Sequence, residues 1–285
     1  MIITPGTGRV TEFSRDGLTF DVVDEGPVDG DPVVLLHGFP ERAGSWSGVA
    51  ARLHAQGLRT LAPDQRGYSP RARPRFRTSY RLPALAADVE ALVDRIGRPV
   101  HLVGHDWGAV VAWFLAARRP DLLRTLTAVS VPHPAAYLAA CLRGGQLRDS
   151  WYFLLFTLPF LPEWLARHRP EAWDASFLRA GMTAADVARS RRDVVEHGAL
   201  PGGLAWYRAI PLAPFGRARQ RVAVPTTYVW SDGDVALSRR GADLCGRWVS
   251  GPYELVVLEG VSHWIPAQAP GPLADAILAR IASIG

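Results

Sequence analysis

Lysine is absent from all 285 residues, so the 32 basic side chains are arginine alone. That absence excludes a Schiff-base mechanism and a phosphate-loop lysine. Cysteine is nearly absent too. Cys141 and Cys245 are the whole supply, which excludes a disulfide framework and fits a reducing, cytoplasmic setting. Residues Met1 to Gly6 have neither the basic start nor the apolar core of a signal peptide. No uninterrupted apolar run reaches the ~20 residues of a membrane span. The stretch Trp151 to Leu161 is too short, with Pro159 within it and Pro162 just after it. No His, Cys or Asp cluster has metal-ligand spacing, and neither a metal nor another cofactor is expected. The net charge is a modest +5. Its one dense basic stretch (Arg71, Arg73, Arg75, Arg77 and Arg81) lies in a proline-containing loop without a nucleic-acid motif. A solvated loop is expected there, with neither nucleic acid nor membrane as partner. Whether the chain is a monomer or a homodimer is left open.

What is present is ordinary globular composition, 48% apolar and 21% charged. Thr11-Glu12-Phe13 and Leu18 to Val23 flank Arg15-Asp16-Gly17, a hairpin signal. Pro32-Val33-Val34-Leu35-Leu36 is continuously apolar, as a strand covered on both faces must be. Further strands are expected at Leu58 to Ala62, Pro99 to Val103, Leu123 to Val131, Thr226 to Trp230 and Tyr253 to Leu258. Helical spacing marks Trp46 to Gln56, Leu82 to Ile96 and Ala109 to Arg118. Such alternation predicts an α/β fold, a mostly parallel sheet flanked by helices. The stretch 132–221 breaks the pattern. It has helix-like segments, proline interruptions and more than its share of aromatics, including Trp151, Tyr152, Phe153, Phe156, Trp206 and Tyr207. It is expected to form a helical cap inserted into a core made of 1–131 and 222–285. The cap would lie over the strands' carboxyl ends and roof an apolar pocket.

Gly104-His105-Asp106-Trp107-Gly108 sits where a strand meets a helix. The pattern G-x-nucleophile-x-G marks a sharp turn that exposes its central side chain above the sheet, and the two glycines relieve its crowding. An aspartate there points to attack on a saturated carbon and an alkyl-enzyme ester. No serine occupies an elbow, which nearly excludes a serine esterase. In chain order an acid and then a histidine should follow. Asp234, four residues beyond Trp230, is the chosen acid, with Asp232 as the turn former beside it. His263 follows the last strand and is the expected base. His37-Gly38-Phe39-Pro40 ends the third strand, so the Phe39 and Trp107 N–H groups are candidate oxyanion donors.

With Asp64-Gln65-Arg66-Gly67-Tyr68-Ser69, these motifs resemble the epoxide hydrolases of the α/β-hydrolase fold along nearly the whole chain. The resemblance implies an apolar epoxide and water as substrates, a diol as product, and two cap tyrosines that protonate the leaving alkoxide. Trp206-Tyr207-Arg208 is similar to the second tyrosine motif and Trp151-Tyr152-Phe153 to the first, although Phe153 stands where many relatives have a polar residue. Tyr137 is the reserve for the first tyrosine. His37, Pro40, Trp151, Phe156, Trp206 and Trp264 are expected to contact substrate. Two alternatives share the motifs: a dehalogenase with the same Asp-His-Asp chemistry, and a non-hydrolytic relative that binds a natural product.

Overall fold

A computed structural model describes residues 8–143, 146, 152–212 and 220–285. Trp151 lies outside the described residues. The strands are β1 (Glu12–Arg15), β2 (Leu18–Glu25), β3 (Pro32–Leu36), β4 (Arg59–Pro63), β5 (Val100–His105), β6 (Leu123–Val129), β7 (Thr226–Ser231) and β8 (Tyr253–Leu258). They form one sheet in the order β1-β2-β4-β3-β5-β6-β7-β8. The first two strands are antiparallel additions, and every pairing from β4 to β8 is parallel. Asp16 and Gly17, both at positive φ, make the β1–β2 turn, a backbone shape that suits the twist of paired strands.

Period-two alternation sends the apolar residues of the central strands to both faces of the sheet. Val33, Leu35, Val103, Val129 and Val229 face one way, into a core closed by α1 (Ser47–His54) and, at the carboxyl end of the chain, Pro270–Ala282. Val34, Leu36, Leu102, Leu126, Ala128 and Tyr228 face the other way, against α2 (Leu82–Ile96) and α3 (Trp107–Arg118). The polar residues of these strands, among them His101, Thr125, Thr127, Thr226 and Thr227, are buried as well.

Between β6 and β7 the described residues are helical: α4 (Pro134–Arg143), α5 (Tyr152–Thr157), α6 (Leu161–His168), α7 (Pro170–Arg179), α8 (Ala184–Ser190) and α9 (Leu200–Arg208). No helix among the described residues is long and apolar enough to cross a membrane. The basic loop is only partly solvated. Arg71 is exposed and pairs with Glu12 and Asp21, whereas Arg73 reaches the carbonyls of Tyr68 and His197.

Arg66 and Asp88 form a buried, two-toothed ion pair, with both contacts at 2.7 Å and only 5% and 7% of the side chains exposed. Asp88→Ala leaves the guanidinium buried without its partner. Unfolding stability is expected to fall by about 3–5 kcal/mol in urea titrations; a loss under ~1 kcal/mol, the scale of an exposed pair, would contradict the pairing.

Candidate active site

β5 ends at His105 and α3 begins at Trp107, leaving Asp106 alone at φ 50° and ψ −119°. A non-glycine residue there is strained, and strain of this kind is tolerated only where the surroundings hold it. The glycines on either side explain the local sequence. A Cβ on Gly104 would stand 2.4 Å from the Gly108 carbonyl oxygen, and one on Gly108 would stand 2.2 Å from that of Leu36. Gly38 answers the same constraint from β3, because its Cβ would lie 2.4 Å from the Cβ of Asp106.

That close approach lets the Phe39 N–H donate to Asp106 Oδ1 at 2.9 Å. The Trp107 N–H, in the first turn of α3, has no intrahelical acceptor. Oδ2 of Asp106 faces His263 Nε2 at 3.6 Å, and His263 Nδ1 lies 2.7 Å from Asp234 Oδ2. Asp234 is itself fixed, its Oδ1 accepting from the N–H groups of Ala236 and Leu237. Asp232 is used otherwise, accepting from the Gly260 N–H across the turn.

The electrostatics follow from two buried carboxylates flanking one imidazole. Burial disfavours charge on His263, but Asp234 and Asp106 more than offset it and push its pKa up to about 10. Burial likewise opposes ionisation of Asp106. The charge of His263, 3.6 Å away, with help from His105 and the Phe39 N–H, holds its carboxyl below the usual range. The resting site is therefore an imidazolium between two carboxylates.

Two cavities meet at Asp106. One, about 220 Å³, is bounded by Trp107, Val110, Phe114, Phe153 and Trp206. The other, about 480 Å³, is bounded by Phe156, Trp173, Phe177, His263 and Trp264. Asp106, Tyr152 and Tyr207 line both. Burial, reinforced by the charge of Asp106, raises the pKa of both phenols well above the ordinary tyrosine value, so both keep their protons.

α9 delivers Tyr207 by a backbone contact. A Cβ on Gly202 would lie 2.3 Å from the Gly67 carbonyl oxygen, so helix and loop touch with nothing between them. The Trp206 indole then donates to the Arg66 carbonyl at 2.8 Å.

Of the expected substrate contacts, Phe156, Trp206 and Trp264 line the cavities; His37 and Pro40 line neither. His37 is turned behind the loop. Its Nδ1 donates to the Gly38 carbonyl and its Nε2 accepts from the Gln65 N–H, a neutral tautomer consistent with a pKa lowered by burial. Tyr137 lines the smaller cavity only, beside Phe153.

Sequence reasoning assigned no role to Glu41 or to His105. His105 Nε2 meets the His263 carbonyl at 2.9 Å, and its Nδ1 lies 3.4 Å from Glu41 Oε2. His105 Nδ1 and Glu41 Oε2 are both buried without a hydrogen bond. Arg189 of the segment between β6 and β7 holds the other oxygen of Glu41 at 3.2 Å. Glu41 follows directly after His37-Gly38-Phe39-Pro40, and that adjacency was the available signal. No group of three or more potential ligands able to hold a metal occurs among the described residues.

An acidic side chain raised on a strained strand-to-helix turn, above a parallel sheet and opposite a carboxylate-backed histidine, defines a hydrolase site of the α/β class. The chain belongs to the α/β-hydrolase fold family, whose model matches residues 31–270. It is 34% identical to the AB hydrolase superfamily protein YfhM of Bacillus subtilis, over 93% of this chain and 95% of that one. It is 27% identical to epoxide hydrolase A of Mycobacterium tuberculosis, over 95% and 97%. Among solved structures it is similar to an epoxide hydrolase of Vigna radiata, at 29% identity and a TM-score of 0.81 over 95% of this chain and 97% of that one.

Proposed function

We propose that the protein is an epoxide hydrolase that opens an apolar epoxide through an ester on Asp106. The observation that carries this reading is the placement of one carboxylate and two phenols around the junction of two apolar cavities. A saturated carbon needs a strong oxygen nucleophile. Asp106 Oδ2, free of the Phe39 hydrogen bond, supplies one. An alkoxide is a poor leaving group even with ring strain, so Tyr152 and Tyr207 donate to the ring oxygen as its C–O bond breaks. A halide leaving group would need no such donors, which is why a dehalogenase fits less well. Residues 132–221 act as the cap that brings the phenols over the nucleophile, and 1–131 with 222–285 form the catalytic core. The relatives named as epoxide hydrolases support the same activity.

Proton balance closes with the resting imidazolium. Tyrosine gives its proton to the alkoxide, and His263 then restores it. His263 can do so because the new ester has erased one of the two charges that held its proton. The neutral imidazole, oriented by Asp234, takes a proton from water as the water attacks the ester carbonyl. The Phe39 and Trp107 N–H groups face the developing oxyanion. Collapse releases the diol and regenerates the Asp106 carboxylate and the imidazolium. Water oxygen ends in Asp106, and an Asp106 oxygen leaves in the diol.

A single turnover of styrene oxide in ¹⁸O-labelled water tests this path. Label is expected on the peptide containing Asp106 and not in the first diol formed; the reverse distribution would mean direct attack by water. Tyr207→Phe and Tyr152→Phe are each expected to slow ring opening by about 10²-fold, the scale of one positioned acid. If either variant opens the ring as fast as the wild type, that phenol is only packing.

A further inference from the structure

The loop that carries His263 is gripped from two sides. From the sheet, His105 and Ser130 donate to the His263 carbonyl at 2.9 Å, and Ser231 donates to that of Ser262 at 2.8 Å. From the other side, the turn that ends α7 supplies two carbonyl acceptors. The Trp264 indole N–H donates to Ala180 at 3.1 Å, and the Gln268 amide donates to Gly181 at 2.6 Å. The Ser262 hydroxyl donates to Gln268 Oε1 at 2.8 Å, which fixes the orientation of that amide. Gly181 has φ +92°, and a Cβ there would sit 2.6 Å from the Cβ of Ser262. The contact thus needs glycine for its backbone shape and for its closeness.

α7 is also a wall of the larger cavity, through Trp173, Ser176 and Phe177. Ring contacts run inward from it, from Phe177 to Trp264 at 6.3 Å and from Trp264 to His263 at 5.1 Å. Substrate bound in that cavity touches the same helix whose end holds the histidine loop.

We infer that Trp264 and Gln268 are positioning residues for ester hydrolysis. They latch the base-bearing loop onto the Ala180–Gly181 turn, so that the seat of α7 sets where the imidazole stands. The inference rests on the roles given above to Asp106 and His263. The two steps depend unequally on this latch. Asp106 is set by β5, α3 and the Phe39 N–H, none of which passes through the latch. Water attack needs the imidazole at a particular place. At 3.6 Å from Oδ2, Nε2 is beyond a good hydrogen bond to Asp106, and its position rests on Asp234 and on the loop.

Trp264→Phe keeps a ring and removes the N–H; Gln268→Met keeps the length and removes the amide. Each is tested in the full chain by rapid quench with styrene oxide, with the ester read by intact mass. In Gln268→Met, whose side chain lines neither cavity, ester hydrolysis is expected to slow by about 10-fold while ester formation changes by less than about 2-fold, so that ester accumulates in the steady state. In Trp264→Phe, which also borders the larger cavity, the rate of hydrolysis is expected to fall relative to that of formation. A general folding defect would lower both rate constants together, and that result, or no change in either, overturns the inference. If the wild type forms no ester from any epoxide, the role of Asp106 itself has failed. That outcome is visible before either variant is examined.

Discussion

In His263→Gln, the Asp106 ester is expected to form and then persist. In the proposed mechanism ring opening would use the Asp106 carboxylate and the phenols, so the first step would survive without an imidazole. Hydrolysis would have no other base at hand: Asp234 is walled off with its side chain 0% exposed, and His105 is buried with its Nε2 donating to the His263 carbonyl. Turnover should fall by at least about 10³-fold while the protein gains the full mass of the epoxide. A variant that turns over without an adduct would place the base elsewhere.

The same substitution changes the pH dependence of stability. The folded pKa of His263, about 10, lies above its ordinary 6.5. The native state therefore holds a proton between those values that the unfolded chain has lost. Stability from this group is complete below about 6.5 and is lost as pH rises through about 10. Wild-type unfolding free energy should decline over that window, and the decline should flatten in His263→Gln. Equal slopes would show that the imidazole is not held as a cation.

Asp106→Asn is expected to abolish turnover, by about 10⁴-fold or more, and to leave no ester. An amide oxygen is a feeble nucleophile towards carbon, and the substitution also removes one of the two charges facing His263. The pKa of that histidine should therefore fall, which an NMR titration of the imidazole reads directly. Retained turnover would remove Asp106 from the chemistry. An unchanged histidine pKa would remove it from the electrostatics.

Much of this was legible in the chain because the signals were local. Val33 to Leu36 announce a buried parallel strand by lacking polar positions, and Val100 to Val103 do so with His101 as the one polar residue. The elbow is readable because its sterics demand glycine at 104 and 108. Asp234 and His263 follow from chain order once the elbow is found. Failures occurred where direction or distance mattered. His37 and Pro40 flank Phe39 in sequence, yet the chain turns their side chains away from the cavities. Glu41, His105 and Arg189 form one network from widely separated segments, and no spacing links them. The acceptors for Trp264 and Gln268 are backbone carbonyls, which carry no residue-type signature.

The bare contact between Gly67 and Gly202 bears on how this pocket can be reshaped. With no side chain between them, loop and helix cannot be moved apart by small steps, because the first added carbon already collides. The wall bearing Trp206 and Tyr207 is in effect a fixed jaw. Libraries that reshape the larger cavity belong at Phe156, Trp173 and Phe177, which line it with side chains.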